Sequence, residues 1–299
     1  MAVTPAMSAM PATPSYAAAM PFVPLSMVQL REMARINRVD CTNMYMAAGN
    51  GHFGSSFSCV EILTALYFSV MRVDPANPDW ADRDRHIFSK GHAAPTLYSS
   101  LIRRGFMPAE WMHEFETEVG VKLMTHPSRR YQPGVDVSTG ALGHGLSIGV
   151  GMALAGKMDR KDYRVFVLLG DGEINEGSVW EAAMSAAKYK LDNLVAIVDR
   201  NGLCVDGRAE DVMPMGPLKQ RWEAFGWETF EVDGHDIPAL LPLLDVLRNQ
   251  GNAKPRMIIA NTIKGKGVSF MEDVRGWHAD VITPAQYACV VDELKEPLQ

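Results

Sequence analysis

Cysteine is scarce in this chain: four residues, Cys41, Cys59, Cys204 and Cys289, among 299. No two are near enough to form a CxxC pair, which argues against a zinc site or a thioredoxin-type motif. Their wide spacing also argues against a disulfide framework and fits reduced thiols in a cytoplasmic setting. Long apolar runs are missing too. Stretches such as residues 165–169 fall far short of the ~20 residues a spanning helix needs. Basic charge is in deficit, with 29 Lys and Arg against 35 Asp and Glu and a net charge of −6. That balance disfavours nucleic acid or an anionic membrane as partner, while leaving room for a local basic pocket. The first 25 residues contain no Lys or Arg and are rich in Ala, Met and Pro. They lack the basic start and unbroken apolar stretch of a signal peptide, and read as a flexible N-terminal arm.

What is present is globular in character. Hydrophobic residues make up 47% and charged residues 21%, and a chain of this size buries a full core without covalent staples. Order is expected from Ser26, giving an arm over 1–25 and one domain over 26–299. Ser26-Met27-Val28-Gln29 has the form of a capping box, followed by Leu30, Met33, Ile36 and Asn37 at helical spacing. Ser58-Cys59-Val60-Glu61 offers a second box, opening a helix with Ile62, Leu63, Leu66, Tyr67 and Val70. Between them residues 49–56 are dense in Gly, Asn and Ser and read as a loop.

Further along, short apolar runs alternate with helical patterns. Residues 165–169, 194–198, 229–232 and 257–260 read as buried strands, and 177–190 and 238–249 as helices. Strands that are apolar on both faces, alternating with helices, predict an α/β fold: a three-layer parallel sheet with helices on both sides.

The sharpest signal is Gly170-Asp171-Gly172 directly after one strand, with Asn201 directly after the next. In a parallel sheet both leave the carboxyl edge, where open α/β sheets bind ligands. Asp171 brings a hard carboxylate oxygen, Asn201 an amide oxygen, and the Leu203 carbonyl a third donor. Two or three protein oxygens leave room for a diphosphate to complete the octahedron of Mg²⁺. Gly170 and Gly172 let the backbone approach phosphates. A lone Gly-Asp-Gly is ordinarily a turn; Asn201 at the next strand end makes the difference.

This pair of segments resembles the thiamin diphosphate signature, and the chain as a whole resembles the N-terminal half of transketolases. The resemblance is carried by Gly51-His52-Phe53-Gly54, Ser89-Lys90-Gly91-His92-Ala93, His126-Pro127, and the run from Ser138 to Gly145. Gly170-Asp171-Gly172-Glu173-Ile174-Asn175-Glu176-Gly177 and Thr262-Ile263-Lys264-Gly265-Lys266-Gly267 complete it. It implies a thiamin diphosphate-binding fold in which Asp171, Asn201 and the Leu203 carbonyl hold Mg²⁺, with Ca²⁺ or Mn²⁺ as substitutes. Gly140, Leu142, His144, Gly170, Gly172 and Asn201 would meet the cofactor. His52, His92, His126 and His278 would line the substrate funnel as imidazoles titrating near neutral pH, able to exchange protons with a ketose. Glu176 would join two active sites across a subunit interface. Glu173 reads only as a charge complementing a helix dipole, and Arg200 as a solvent-facing charge. Phe53, Ser55 and Ser56 depart from the family's usual residues and are expected to reshape the donor pocket.

The resemblance also implies a partner. In fused transketolases the glutamate that activates the cofactor lies in a following pyrimidine-binding domain, and little more than 20 residues follow His278 here. A split transketolase is expected. A second subunit would carry the pyrimidine-binding and C-terminal domains, in a heterotetramer that moves a two-carbon ketol unit from a ketose, phosphorylated by preference, to an aldose. Two alternatives stay open: a subunit of a 2-oxo-acid dehydrogenase E1 or decarboxylase, which shares the GDG and Asn signature but not the histidine loops, and a non-catalytic cofactor-binding module.

Overall fold

The computed structural model describes residues 23–117, 122–245 and 253–298. The expected N-terminal arm, save residues 23–25, and the end of the helix expected over 238–249 lie outside them. The first helix, α1 (Met27–Ala48), starts at the capping box read from the sequence: the Ser26 hydroxyl accepts from the Gln29 amide, and the Gln29 side chain takes the Ser26 amide. It closes at Gly49 with φ 76°.

The next segment corrects two expectations. Residues 53–56, half of the expected loop, fall in a short helix, α2 (Phe53–Phe57). The second capping box does not form: α3 (Val60–Ala65) is capped by Cys59 without a side-chain bond. Both members of the box are engaged elsewhere. The Ser58 hydroxyl donates to the Asp199 carboxylate at 2.6 Å, and Glu61 forms a bidentate pair with Arg38 at 2.6 and 2.8 Å. One π-helical turn, Leu66–Val70, continues the chain toward β1 (Arg85–Phe88) and α4 (Ala94–Arg104).

The expected strand and helix alternation then appears. The elements are α5 (Gly145–Met158), β2 (Val165–Gly170), α6 (Gly177–Lys188), β3 (Leu194–Arg200), α7 (Ala209–Val212) and α8 (Leu218–Ala224). After them come β4 (Glu228–Asp233), α9 (Ile237–Asp245), β5 (Arg256–Asn261) and α10 (Pro284–Glu293). All strand pairs are parallel, in the order β1-β2-β3-β5-β4. β1 has no counterpart in the sequence reading, because four residues, Arg-His-Ile-Phe, carry no apolar run.

Alternating strand residues split the core into two slabs. Phe166, Leu168, Val195, Ile197, Ile258 and Ala260 pack against α1, α3, α4 and α9. Val165, Val167, Leu169, Leu194, Ala196, Val198, Met257 and Ile259 face α5, α6 and α8. The period-two geometry of a strand sends successive side chains to opposite faces, so a run apolar at every position demands cover on both. The three layers follow. All four cysteines are free, Cys41 and Cys59 buried in the first slab. Among the described residues no helix is long and apolar enough to cross a membrane.

Within β1, His86 is buried with its Nδ1 3.0 Å from the Tyr67 hydroxyl and no partner at Nε2. Burial lowers its pKa from 6.5 to about 3. The unfolded chain therefore takes up a proton that the native state refuses, and native stability falls as pH drops from 6.5 toward 3. His86→Asn keeps a partner for Tyr67 without the titration. It is expected to lower the slope of unfolding free energy against pH by about 1.4 kcal/mol per unit between about pH 4.5 and 6. Denaturant titrations across that range measure it, and an unchanged slope refutes it.

Candidate functional site

The sheet's carboxyl edge is where the signature residues meet. Gly170, the last residue of β2, pairs in register with Asp199 of β3. Each chain then turns away, which leaves Asp171 and Asn201 side by side. The Asp171 carboxylate accepts from the Gly172 amide at 2.9 Å and from the Gly202 amide at 2.6 Å, so the two loops are stitched together through it. The Asn201 amide nitrogen lies 3.4 Å from both Asp199 and Ser58, and its oxygen accepts from the Leu203 amide at 3.2 Å. These partners fix which way the amide points. The Leu203 carbonyl accepts from Lys264 Nζ at 3.2 Å. A carbonyl has two lone pairs, so one remains for another partner.

Burial, with Asp199 behind it, raises the Asp171 pKa to about 6. One carboxylate, one amide oxygen and one main-chain carbonyl form a donor set suited to a hard cation that keeps non-protein ligands. Among the described residues no group of three or more His, Cys, Asp or Glu could hold a metal ion, so a soft-metal site has no counterpart there.

Two buried acids hold this edge in shape. Asp199 receives Lys90, Ser58, Thr262 and Asn201. Burial alone would raise its pKa, but Lys90 outweighs that and holds it below the usual carboxylate range; in return Asp199 holds the Lys90 ammonium above the usual lysine range. Glu173 is the second acid, and here the sequence reading needs correction. It is no exposed dipole charge. It is buried, and its carboxylate accepts from the Ser89 hydroxyl, the Gly143 amide at 2.9 Å and the Gly170 amide at 3.0 Å. Three loops thus share one crosspiece. Arg200 is half-buried rather than solvent-facing, ending β3 with its guanidinium toward Asn261.

Three of the expected histidines converge. An isolated antiparallel bridge between Gly51 and Asp280 draws the His52 loop to the His278 loop. The turn after β1 brings in His92. Ring centroids lie 5.2 Å apart for His52 and His92, 5.7 Å for His52 and His278, and 5.4 Å for His92 and His278. His126 is half-buried and lies against Gly140, where an added Cβ would sit 3.1 Å from its ring. At φ 150° Gly140 is strained for any other residue. His144 is exposed at the start of α5, outside this cluster. Burial, reinforced by nearby cationic side chains, lowers His92 to about 2 and His278 to about 4, and lowers His52 as well. For His92 and His278 the expectation of imidazoles titrating near neutral pH is therefore not met. These rings are neutral, acting as hydrogen-bond donors and acceptors.

A cavity of about 280 Å³ opens between these groups, lined among others by Lys90, His92, Leu142, Asp171, Asn201 and Lys264. Lys264 reaches His278 Nδ1 at 3.0 Å, and burial beside Lys90 lowers its pKa to about 8. Glu176 is exposed at the start of α6, its Cβ beneath Gly143, where an added Cβ would come within 2.5 Å. Phe53 does not reach the cavity. It is fully buried against Tyr45 at 4.6 Å and Trp277 at 5.7 Å, so it supports the His52 loop from the core. The sequence reading gave no role to Lys90, Asp199 or Lys264. The available signal was an acid at the end of an otherwise apolar strand and two lysines in glycine-flanked turns.

Residues 29–289 match the family described as the transketolase, thiamine diphosphate binding domain. The chain is 46% identical over 263 residues to one of the subunits of the apulose-4-phosphate transketolase of Phocaeicola vulgatus, covering 88% of this chain and 92% of that protein. It is 39% identical over 269 residues to the 6-deoxy-6-sulfo-D-fructose transketolase subunit SqwG of a Clostridium species, covering 90% and 97%. The solved transketolase of Campylobacter jejuni superposes with a TM-score of 0.84 at 30% identity, over 90% of this chain and 43% of that one. The chain thus spans about two-fifths of the solved transketolase and nearly the whole of the two subunits.

Lys90 and Asp199 are 1% and 0% exposed. Removing one partner leaves an uncompensated buried charge, so Lys90→Met is expected to cost about 3–5 kcal/mol in denaturant unfolding. Adding Asp199→Asn to it recovers most of that loss. A single variant as stable as the parent refutes the pairing.

Proposed function

The chain belongs to the family of transketolase thiamine diphosphate-binding domains, and from that membership we propose that it is the diphosphate-binding subunit of a two-chain transketolase. The observation that carries the reading is the meeting of Asp171 and Asn201 at adjoining strand ends, stitched through the Gly202 amide. The binding of thiamin diphosphate comes with the family. Mg²⁺ and the individual roles below are our assignment, as are a single domain over 26–299 and a cytoplasmic setting.

Asp171, Asn201 and the free lone pair of the Leu203 carbonyl would hold Mg²⁺, or Ca²⁺ or Mn²⁺ in its place. Gly170 and Gly172 carry no side chain to keep a diphosphate from the backbone, and the Lys264 ammonium supplies positive charge inside the cavity. Leu142 lines the same cavity, and Gly140 and His144, its neighbours in the chain, are assigned to the cofactor with it. When bound, the cofactor supplies the nucleophilic carbon and the electron sink. The protein's task is then to orient the sugar and handle protons. His52, His92 and His278, neutral and within one cluster, offer donors and acceptors for the C1 hydroxyl and C2 oxygen of a ketose, with His126 beside Gly140 further out. The depressed pKa values of His52, His92 and His278 keep positive charge off those rings, which suits hydrogen-bond exchange with hydroxyl groups.

The cavity's rim supports a partner. Leu142, Val205 and Val212 line it yet remain 40%, 61% and 42% exposed. Apolar side chains exposed at the mouth of a cleft fit a protein surface that closes over it. We assign that surface to a second subunit carrying the pyrimidine-binding and C-terminal domains, in a heterotetramer whose two sites communicate through the exposed Glu176. One relative is named for a phosphorylated ketose and another for a sulfonated one. The substrate is therefore proposed as a ketose with a distal acid group, phosphate by preference.

Asp171→Ala is expected to abolish Mg²⁺-dependent thiamin diphosphate binding by the assembled complex in calorimetry, with an unaltered far-UV spectrum. Undiminished affinity would overturn the metal assignment. The purified chain alone is expected to show no ketol transfer, and activity should appear on adding the companion subunit. Robust transfer by the chain alone refutes the two-chain reading.

A further inference from the structure

Of the eight histidines, His235 lies outside the motifs in sequence and has no part in the chemistry above. It follows β4, in the turn that leads to α9. That turn presses hard on the end of β5: Gly234 donates to the Asn261 carbonyl at 2.8 Å, and a Cβ at Gly234 would fall 2.4 Å from the Thr262 side chain. Only glycine permits this approach, and it delivers the His235 ring to the segment that carries Lys264.

The ring has a partner on each nitrogen. Nδ1 lies 2.9 Å from the Glu61 carboxylate, and Nε2 accepts from the Ile263 amide at 2.8 Å. Arg38 and His235 together outweigh the effect of burial and lower the Glu61 carboxyl to about 2. An ionised Glu61 accepts only, so Nδ1 carries the proton and Nε2 is free to accept. Arg38 in turn donates through Nε to the Lys266 carbonyl at 2.9 Å. One trio, buried Arg38 and Glu61 with half-buried His235, therefore grips the backbone on both sides of Lys264. Other ties of the loop are Thr262 to Asp199, the Thr262 amide to the Arg200 carbonyl at 3.0 Å, the Gly265 amide to the Gly54 carbonyl at 3.1 Å, the Asp273 amide to the Lys264 carbonyl at 2.9 Å and the Gly267 amide to Glu272 at 2.9 Å.

We propose that His235 is a positioning residue for the cofactor site, holding the Ile263 backbone so that Lys264 Nζ stands beside the Leu203 carbonyl and His278. This rests on the proposed role of Lys264 toward the diphosphate. The contact works through one hydrogen bond to a main-chain amide, so it is separable from packing. His235 also lines a second cavity of about 680 Å³ together with Arg31, Glu61 and Lys266, which gives its substitutes room.

Two variants of equal polarity separate the links. His235→Gln reaches as far as Nε2 and keeps an acceptor for the Ile263 amide. His235→Asn reaches only as far as Nδ1 and keeps the bond to Glu61. Thiamin diphosphate affinity is measured by calorimetry with Mg²⁺ on the assembled complex. The rate of Lys264 modification by an amine reagent at one fixed pH is measured on the chain itself. His235→Asn is expected to weaken the cofactor about tenfold and to change the Lys264 rate, as when an orienting partner is lost. His235→Gln stays within about twofold of the parent in both. Equal behaviour of the two variants, or a larger effect in Gln than in Asn, overturns the proposal. A parent complex that binds no cofactor would count against the functional reading instead, while the modification rates would still decide whether His235 sets Lys264.

Discussion

Asp199 stands one residue before the end of β3, a strand buried on both faces, where a charge without a partner would cost several kcal/mol. Lys90, arriving from the turn after β1, supplies the partner, and the pairing does more than neutralise. The same carboxylate holds Ser58 at the foot of α3, Thr262 after β5, and the amide nitrogen of Asn201. Four segments distant in sequence are thereby fixed around one point. The orientation of the Asn201 amide oxygen is a consequence, because its nitrogen is already committed. Glu173 does for the Ser89, Gly143 and Gly170 loops what Asp199 does for the others. The shape of the sheet's carboxyl edge is inherited from these two buried acids.

The charges lining the cleft follow from the same enclosure. Lysines 90 and 264 stand near each other, one satisfied by Asp199 and the other lowered to about 8. Asp171 is held at about 6, and the three clustered histidines are neutral. A pocket with an under-neutralised carboxylate on one wall and an under-neutralised ammonium on another is complementary to a cation bridged to a polyanion. Each half of such a ligand meets the charge it lacks.

Much of this was legible in the residues. The runs over 165–169 and 194–198, apolar at every position, could be satisfied only by cover on both faces, and the two slabs provide it. Asp171 and Asn201 could be placed together because parallel neighbours turn away at the same edge. Ser26 and Gln29 formed the box their spacing implied, whereas Ser58 and Glu61, with identical spacing, did not. The difference is tertiary: Asp199 and Arg38 compete for those side chains, and nothing local records that. β1 escaped notice because it is four residues long and half polar, though it delivers both Lys90 and His92. Glu173 was misread for a similar reason, since a helix-start acid looks alike in sequence whether it meets solvent or three buried donors.

The doubly covered strands also restrict how such a sequence can change in length. Sliding β3 by one residue against β2 would invert its faces and carry Asn201 away from Asp171. The exposed turn at residues 188–190, at the far edge of the sheet, has no such obligation. Insertions and deletions can accumulate there, or at the other amino-edge connections, while the carboxyl edge keeps its spacing. The two ends of each strand therefore evolve under different rules, one free to lengthen and shorten, the other held to count.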